Sequence, residues 1–362
     1  MTVRSDIPLL PPEAELETKA VLKRLAPAHR YLAELKGMAA TIPNEHILIN
    51  TLALQEAKDS SEIENIITTQ DELYKANLFL NYFKNPAAKE VNRYATALKS
   101  AFEQVRNDHL ITLNRIIEIH RVLERNDAEI RTQGGTVLKN ERTGETVYTS
   151  PQTHGEIVHL LSNLEQYIND DALSDVDPLV KMAVIHHQFE SIHPFYDGNG
   201  CTGRIINILY LVAKGLLDIP ILYLSRYIIR TKHDYCRHLQ EVRDTGHWEP
   251  WIIYILQGVE QTSRQTIWII ARIREIMQDY KQRIRAQLPR IYSQDLLNNL
   301  FRHPYTGIES VQRDLGVSRL TATKYLERLT ENGFIEKQKI GRYNYYVNRP
   351  LMDVFVGIPD AW

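Results

Sequence analysis

The chain has 362 residues, 43% of them hydrophobic and 24% charged, and its formal net charge is −2. This composition excludes collagen, coiled-coil and wholly disordered proteins, and the near-zero charge gives the whole chain no general attraction to nucleic acid or an anionic membrane. Two cysteines are too few for a disulfide framework or a four-cysteine zinc site, which favours a reducing, cytoplasmic location. The N-terminus lacks a signal peptide's apolar run, and the most apolar segment, 205–217, is too short to span a bilayer, so we expect no membrane partner.

Most of the chain carries apolar residues at spacings of three and four, which predicts a mainly α fold. The helical segments predicted in chain order are 12–37, 44–58, 87–107, 112–125, 153–169, 178–191, 202–215, 231–243, 248–257 and 260–285.

One segment breaks the helical pattern. Two short β-branched runs between Thr136 and Ser150 flank a polar stretch that contains Gly144, which predicts a β-hairpin inside the helical domain. From the residues alone this hairpin is either a decorative loop or a functional flap.

A smaller and more basic domain follows Pro289, where the helical pattern stops. Between Arg290 and Arg349 ten Lys or Arg stand against six Asp or Glu, a surplus of four positive charges. Basic charge is therefore segregated into this part of the chain.

The order of elements in the basic domain predicts a winged helix. Two helix-sized segments, 307–315 and 319–329, enclose a short turn in which Ser318 is a candidate N-cap. Two strands follow within 334–347, joined by a tight turn at Gly341 and Arg342.

The segment 193–204, HPFYDGNGCTGR, has the pattern of a phosphate-binding loop that opens a helix. Its glycine-rich run 198–200 lets successive backbone N–H groups face one anion, and a helix predicted to start near Thr202 adds its positive end. We expect Arg204, on the first turn of that helix, to reach the same anion with two hydrogen bonds.

Two further side chains of this segment add chemistry to anion binding. Asp197 is a hard oxygen ligand suited to a phosphate-bound Mg²⁺. His193, with an ordinary imidazole pKa near 6.5, is suited to take a proton from an attacking hydroxyl. Together the twelve residues predict a site for Mg²⁺ and a nucleotide polyphosphate, with a base beside it.

The same twelve residues resemble the signature of the Fic proteins, HPFx(D/E)GNGRxxR, and the resemblance covers roughly residues 40 to 260. It implies a Fic helical core and transfer of AMP from ATP, with Mg²⁺, to a Ser, Thr or Tyr hydroxyl of a protein, possibly of the chain itself. It implies that His193 is the general base, Asp197 the Mg²⁺ ligand and Arg204 the γ-phosphate clamp. The ATP-site residues that it implies are Glu64, Phe195, Asp197, Gly198, Asn199, Gly200, Cys201, Gly203, Arg204, Tyr235 and Asp244.

Cys201 is the one departure, because the family has an arginine there. A thiol offers neither charge nor a fork of donors, and a lost charged hydrogen bond costs about 1.5–3 kcal/mol. The alternative function is therefore a DNA-binding regulator whose weakened Fic core only senses nucleotide.

An upstream segment, SSEIEN, matches the family's inhibitory motif (S/T)xxxE(G/N) with Ser60, Glu64 and Asn65. The resemblance implies that Glu64 pairs with Arg204 and denies it to the γ-phosphate. If the chain had no Fic core, the better interpretation of Glu64 would be an ordinary solvated helix residue. We also expect an apolar stripe at positions 63, 66 and 67 to dock this turn.

Several remaining assignments have structural alternatives. The hairpin resembles the family's flap, which holds an extended target segment by strand addition. Tyr235 is either an adenine contact or core packing, and Asp244 is a candidate base contact. We expect His154, His186 and His187 to be structural or surface residues rather than metal ligands, and Cys201 and Cys236 to be small buried side chains.

The predicted domains are an N-terminal helical region, a Fic core, a connecting helix and a winged helix. The expected partners are a target protein at the flap, either DNA or a protein at the winged helix, and a second copy in a homodimer. The boundaries are 1–110 with the inhibitory motif at 60–65, 111–260 with the flap at 134–151 and the signature at 193–204, 261–289, and 290–362.

Overall fold

The computed structural model describes residues 7–78, 85–127, 129–139, 144, 146–340 and 343–359, and within them the fold is mainly helical, as the apolar spacing predicts. The elements of the first half are α1 (Lys19–Ala39), α2 (Glu45–Ile63), α3 (Gln70–Leu78), α4 (Pro86–Asp108), α5 (Leu113–Glu124), β1 (Val137–Lys139), β2 (Thr146–Thr149), α6 (His154–Asn169), α7 (Pro178–Ile192) and α8 (Asn199–Ala213).

The second half continues with three helices and then the small C-terminal domain. Its elements are α9 (Leu224–Arg230), α10 (Lys232–Thr245), α11 (Glu249–Gln287), α12 (Gln294–Arg302), β3 (Tyr305–Thr306), α13 (Ile308–Leu315), α14 (Arg319–Glu331), β4 (Glu336–Ile340), β5 (Tyr343–Val347) and α15 (Arg349–Val356).

Outside the signature segment, the helix prediction is wrong in three ways. It misses the short helices α3, α9, α12 and α15. It starts the first helix at 12, whereas α1 begins at Lys19 after the side chain of Thr18 caps the N–H of Val21. It also divides α11 in two, whereas the helix runs unbroken through Gly258. A Cβ at Gly258 would lie 2.8 Å from side-chain atoms of Leu224 and Tyr227. That glycine permits close packing of α9 rather than breaking the helix.

Helix α8 lies at the centre of the larger domain, packed by α2, α4, α5 and α7. Both α7 and α8 are buried along nearly their whole length. The loop that joins them, which carries the signature, is therefore held between two rigid elements. None of the described helices is long and apolar enough to cross a bilayer.

The C-terminal domain contains the predicted order of two helices and two strands. Gly316 turns the chain between α13 and α14 with a φ of 65°, and the Ser318 hydroxyl caps the N–H of Thr321. Strands β3, β5 and β4 form one antiparallel sheet in that order. The predicted turn at Gly341 and Arg342 lies outside the described residues.

Candidate nucleotide site

Helix α7 ends at His193, which adopts the left-handed conformation with a φ of 51°. Its N–H donates to the carbonyl of Phe189 at 3.0 Å. A non-glycine residue in this region is uncommon and turns the chain sharply. The candidate base is therefore carried by a special turn and not by the regular helix.

The loop after His193 is closed by Asn199. Its side-chain amide accepts from the N–H of Phe195 and donates to the carbonyl of Phe195, each at 2.9 Å. Phe195 is fully buried and stacks on the ring of His120 at a centroid distance of 3.8 Å. These contacts show that Phe195 and Asn199 close the loop, and the ATP contact that the resemblance implies for both stays a prediction.

Helix α8 begins at Asn199, with Gly198 as its N-cap at a φ of 70°, so the prediction of a start near Thr202 is wrong. Residues 198–200 therefore form the cap and first turn, whose N–H groups lack helical acceptors and favour an anion. Arg204 consequently lies on the second turn of α8, whereas the sequence analysis placed it on the first turn.

Three glycines of the signature let carboxylates approach α8 closely. A Cβ at Gly198 would lie 2.6 Å from Glu124 Oε1, and one at Gly203 would lie 2.5 Å from Glu190 Oε1. At Gly200 a Cβ would overlap Glu64 Oε1. The glycines thus provide space as well as conformational freedom. The Glu64 carboxylate occupies the space beside Gly200, in the first turn of α8.

The predicted ion pair between Glu64 and Arg204 is present. Arg204 Nη2 donates to Glu64 Oε1 at 2.8 Å and to the carbonyl of Ser60 at 3.1 Å, while Nε donates to the Ser60 hydroxyl at 2.8 Å. The Arg204 side chain is 2% exposed and the Glu64 side chain 42%. Two residues of the inhibitory motif therefore occupy the donors of this buried guanidinium.

Helix α2 places Glu64 by ending one residue before it. Glu64 is the C-cap, Asn65 turns the chain with a φ of 64°, and Lys232 Nζ donates to the carbonyl of Ile63 at 2.8 Å. The expected apolar stripe is wrong in part, because Ile63 is buried but Ile67 is 72% exposed.

His193 has an altered protonation equilibrium. Burial lowers its pKa to about 4, and the positive charges of Arg243 and Arg131 act in the same direction. The sequence-based assumption of an ordinary imidazole is therefore corrected, because this ring is neutral throughout the physiological range. A neutral imidazole can accept a proton, although a pKa of about 4 makes this ring a weaker base than an ordinary imidazole.

Asp197 is exposed, and one of its oxygens accepts from the N–H of Gly198 at 2.9 Å. Its charge helps to raise the pKa of Glu90 and Glu124, after the larger effect of burial on each. No group of three possible metal ligands occurs among the described residues. One carboxylate together with substrate phosphates is nevertheless a usual set of Mg²⁺ ligands, so the site fits a phosphate-bound Mg²⁺.

The predicted hairpin is present as β1 and β2, which pair Val137 with Thr149 and Leu138 with Tyr148. The Tyr148 hydroxyl donates to the carbonyl of Ser191 at 3.0 Å, and the Arg243 guanidinium lies 4.0 Å from the Tyr148 ring centroid. Its turn at 140–143 and 145 is outside the described residues. The hairpin therefore lies against the end of α7, beside His193.

Tyr235 and Asp244 both lie on α10, after the signature in the chain. Tyr235 is 6% exposed, and its hydroxyl meets His186 Nε2 at 2.9 Å within a cluster of aromatic rings, which favours the core-packing alternative. Asp244 is exposed and accepts from Gln240 at 2.8 Å. Cys236 is exposed, so the expectation that both cysteines are buried is wrong for one of them.

Cys201 is buried and lies beside the contact between Ser60 and Arg204, with its Sγ 3.8 Å from the Ser60 hydroxyl and 3.6 Å from Arg204 Nη2. In a Glu64→Gly background, we expect Cys201→Arg to tighten MgATP about 10- to 100-fold, as one added charged hydrogen bond would. Calorimetry measures this, with Cys201→Leu as the control for bulk. Equal tightening by Cys201→Leu, or no tightening by Cys201→Arg, would contradict a role for the missing charge.

Several residues of the site have no counterpart in the sequence-based assignment: Glu124, Arg131, Tyr148, Glu190 and Arg243. Burial raises the pKa of Glu190 to about 7, and its being the only acid of α7 is the one signal that could have drawn attention to it. The others are distant in sequence from the signature and reach it only through the fold.

Comparison with known proteins identifies the class. The Fic/DOC family N-terminal model matches residues 22–103, the Fic/DOC family model matches 110–211, and a model of the C-terminal domain of SoFic-like protein adenylyltransferases matches 276–351. The chain belongs to the Fic/DOC family. Within that family it carries the C-terminal domain described for SoFic-like proteins.

Curated relatives share part of the chain. Proteins named protein adenylyltransferase Fic from Drosophila erecta and Drosophila virilis are 27% and 29% identical over 163 and 164 residues. The matched region spans 44% of this chain and 30% of each relative.

Solved structures share the fold. A Fic family protein from Desulfovibrio desulfuricans G20 aligns with a TM-score of 0.58 at 20% identity, over 93% of this chain and 98% of that protein. Fic-1 from C. elegans aligns with a TM-score of 0.53 at 20% identity, over 68% of this chain and 72% of that structure.

Proposed function

We propose that this protein transfers AMP from ATP to a hydroxyl group of a protein. The observation that carries the proposal is the placement of a neutral His193 beside the glycine-lined start of α8, with Arg204 on the next turn. A base and an anion site joined in one rigid loop suit attack on a phosphate. The similarity to relatives named protein adenylyltransferase supports the same reaction.

In the proposed reaction the target hydroxyl attacks the α-phosphorus of ATP and the bond to pyrophosphate breaks. The hydroxyl proton passes to the neutral imidazole of His193, and pyrophosphate leaves with the bonding electron pair. The N–H groups of the first turn of α8 stabilise the phosphate charge. Mg²⁺, held by Asp197 and the phosphates, supplies further charge neutralisation when bound.

In this proposal the ion pair between Glu64 and Arg204 keeps the protein inactive in its resting state. While Glu64 occupies Arg204, the guanidinium is not available to hold the γ-phosphate, and the α-phosphorus is poorly aligned for attack. The wild-type protein is therefore self-inhibited, with Ser60 accepting further hydrogen bonds from Arg204.

Incubation with MgATP labelled at the α-phosphate tests the proposal on wild type, Glu64→Gly and His193→Ala within the Glu64→Gly background. We expect label on protein with Glu64→Gly and none once His193 is replaced. Absence of protein-bound label in every variant, with a candidate extract or the chain itself as acceptor, contradicts the transferase function and favours a nucleotide sensor.

A second candidate function, DNA binding, is favoured by the basic residues Arg319, Lys324 and Arg328, which are exposed on α14, and by Lys337 and Lys339 on β4. We expect the full-length chain to bind duplex DNA with an affinity that falls steeply with salt, each lost phosphate contact lowering the logarithmic slope by about 0.9. Fluorescence anisotropy across a salt series measures this.

The matched control for that experiment uses three exposed cations on a different helix, α1. Replacing Arg319, Lys324 and Arg328 with alanine should remove salt-dependent binding, whereas replacing Lys19, Lys23 and Arg30 should not. Equal losses in both triple variants would indicate non-specific attraction, and no binding by the parent chain would leave this domain without a DNA function. Arg342, also expected at the wing, lies outside the described residues.

A further inference from the structure

Arg131 is a fully buried arginine on the segment before the flap, and it binds the turn that carries the base. Its Nε donates to the carbonyl of His193 at 2.9 Å, and Nη2 lies 3.5 Å from the carbonyl of Ile192. Its backbone N–H donates to the carbonyl of Pro194 at 3.0 Å. One residue therefore satisfies three successive carbonyls around the left-handed turn at His193.

The same guanidinium binds the far end of the flap. Nη2 donates to the Ser150 hydroxyl at 3.0 Å and also to the carbonyl of Pro151. The Ser150 hydroxyl in turn donates to the carbonyl of Thr136 at 3.1 Å, just before β1. Both ends of the hairpin are thus linked through Arg131 to the turn at His193.

A second contact supports this link from the signature side. The hydroxyl of Tyr196, the free position of the signature, accepts from the N–H groups of Thr132 and Gln133 at 3.2 Å each. The residues that follow Arg131 are therefore also fixed to the loop. Flap and signature loop are joined at two places by polar contacts.

The hydrogen-bond acceptors of Arg131 among the described residues are carbonyl and hydroxyl oxygens, which are neutral. Burying a guanidinium is costly, and the several oxygens that Arg131 bridges offset part of that cost, together with the charge of Glu156. A fork of planar donors is needed for this, and a lysine at the same place could not reproduce it.

We propose that Arg131 is a positioning residue for AMP transfer, which holds the turn of His193 and both ends of the flap as one unit. The base and the target segment then keep one mutual arrangement when the hydroxyl attacks. This inference rests on the proposed transferase function.

The charge of Arg131 provides a readout that packing alone would not move. The charged groups that act on His193 are Arg131 before β1, Arg243 on α10 and Glu64 after α2, and the backbone of Glu190 on α7 forms a hydrogen bond with it. Burial and the two arginines lower the pKa of His193, so removing the Arg131 charge should raise that pKa toward 6.5. Keeping the charge should leave it near its parent value.

The experiment compares Arg131→Lys and Arg131→Gln in the Glu64→Gly background, with Arg115→Lys as the control. Arg115 also makes several hydrogen bonds, to Gln104 and Asp108, but lies away from the signature loop. We expect kcat to fall about 100-fold in both Arg131 variants, the effect of roughly 1 Å of misplacement, with KM for ATP within about threefold of the parent. Arg115→Lys should leave both unchanged.

Imidazole NMR titration and hydrogen exchange complete the test, because neither needs transfer activity. Arg131→Gln should raise the His193 pKa while Arg131→Lys should not, and both should speed amide exchange in β2. The proposal is overturned by a parent-like kcat in both variants, or by an unchanged His193 titration and unchanged β2 exchange in Arg131→Gln. A parent without transfer would refute the proposed function, and these two measurements would still decide the role of Arg131.

Discussion

Replacing Glu64 with glycine is expected to raise the rate of AMP transfer about 100-fold, because misalignment of reacting atoms by roughly 1 Å costs about that factor. Glu64 Oε1 lies 2.8 Å from Arg204 Nη2 and against Gly200 in the first turn of α8. Removing the carboxylate frees both the guanidinium and the space beside the helix start for phosphate. The gain should appear in kcat more than in KM, since the rest of the cradle is already in place.

The control for this prediction is Arg204. Arg204→Ala should be inactive alone and should stay inactive with Glu64→Gly, because the glutamate acts through the arginine that it occupies. Steady-state rates of protein labelling measure all three variants. A double variant as active as Glu64→Gly would show that Glu64 does not act through Arg204 and is an ordinary solvated residue.

Replacing His193 with alanine is expected to abolish transfer, with a loss of at least about 100-fold in kcat, the lower range for a general base. Nucleotide binding should change little, because the base acts only as the hydroxyl attacks. Calorimetry with a non-hydrolysable ATP analogue separates the two effects. A loss of binding as severe as the loss of activity would contradict the role of His193 as base.

The protonation of His193 gives this prediction a pH signature. Its pKa is lowered to about 4, so the imidazole is neutral above that value and is lost as a base only when the pH falls through it. NMR titration should therefore place the His193 transition near pH 4, with no transition of this ring near 6.5. A transition near 6.5 would contradict the buried environment of this base.

The chemistry of the signature loop could be predicted from the sequence because its members are neighbours in the chain. Twelve consecutive residues hold the proposed base, the proposed metal ligand, the glycines and the proposed phosphate clamp, so no knowledge of the fold was needed to group them. The pairing of Glu64 with Arg204, 140 positions apart, depended instead on the resemblance to a known family. Composition and apolar spacing alone do not bring these two residues together.

The start of α8 could not be predicted from apolar spacing. Apolar spacing places the helix near Thr202, but the Asn199 side chain holds Phe195 and lets the helix begin three residues earlier. That shift moves Arg204 to the second turn and turns residues 198–200 into helix N–H donors. Side-chain contacts across a loop decide this boundary, and periodicity does not record them.

The supporting residues could not be predicted because their partners are set by tertiary packing. Arg131 lies 62 positions from His193 and binds backbone carbonyls, which any residue type supplies. Glu124 and Glu190 lie against Gly198 and Gly203, a relation visible only once α5, α7 and α8 are packed. The short helices α3, α9, α12 and α15 were missed because seven to nine residues give few turns for a clear period. The equally short α13 was predicted because the turn that begins at Gly316 marks its end.

The most direct test of the account is the fate of the α-phosphate when the Glu64→Gly protein meets MgATP and a protein acceptor. Parallel reactions with ATP labelled at the α- or the γ-phosphate, followed by intact-protein mass spectrometry, identify the transferred group. The account predicts protein-bound label from the α-phosphate only, with a mass gain of one AMP, and no label when His193 is also replaced by alanine. Label from the γ-phosphate, or α-label that survives the loss of His193, would contradict it.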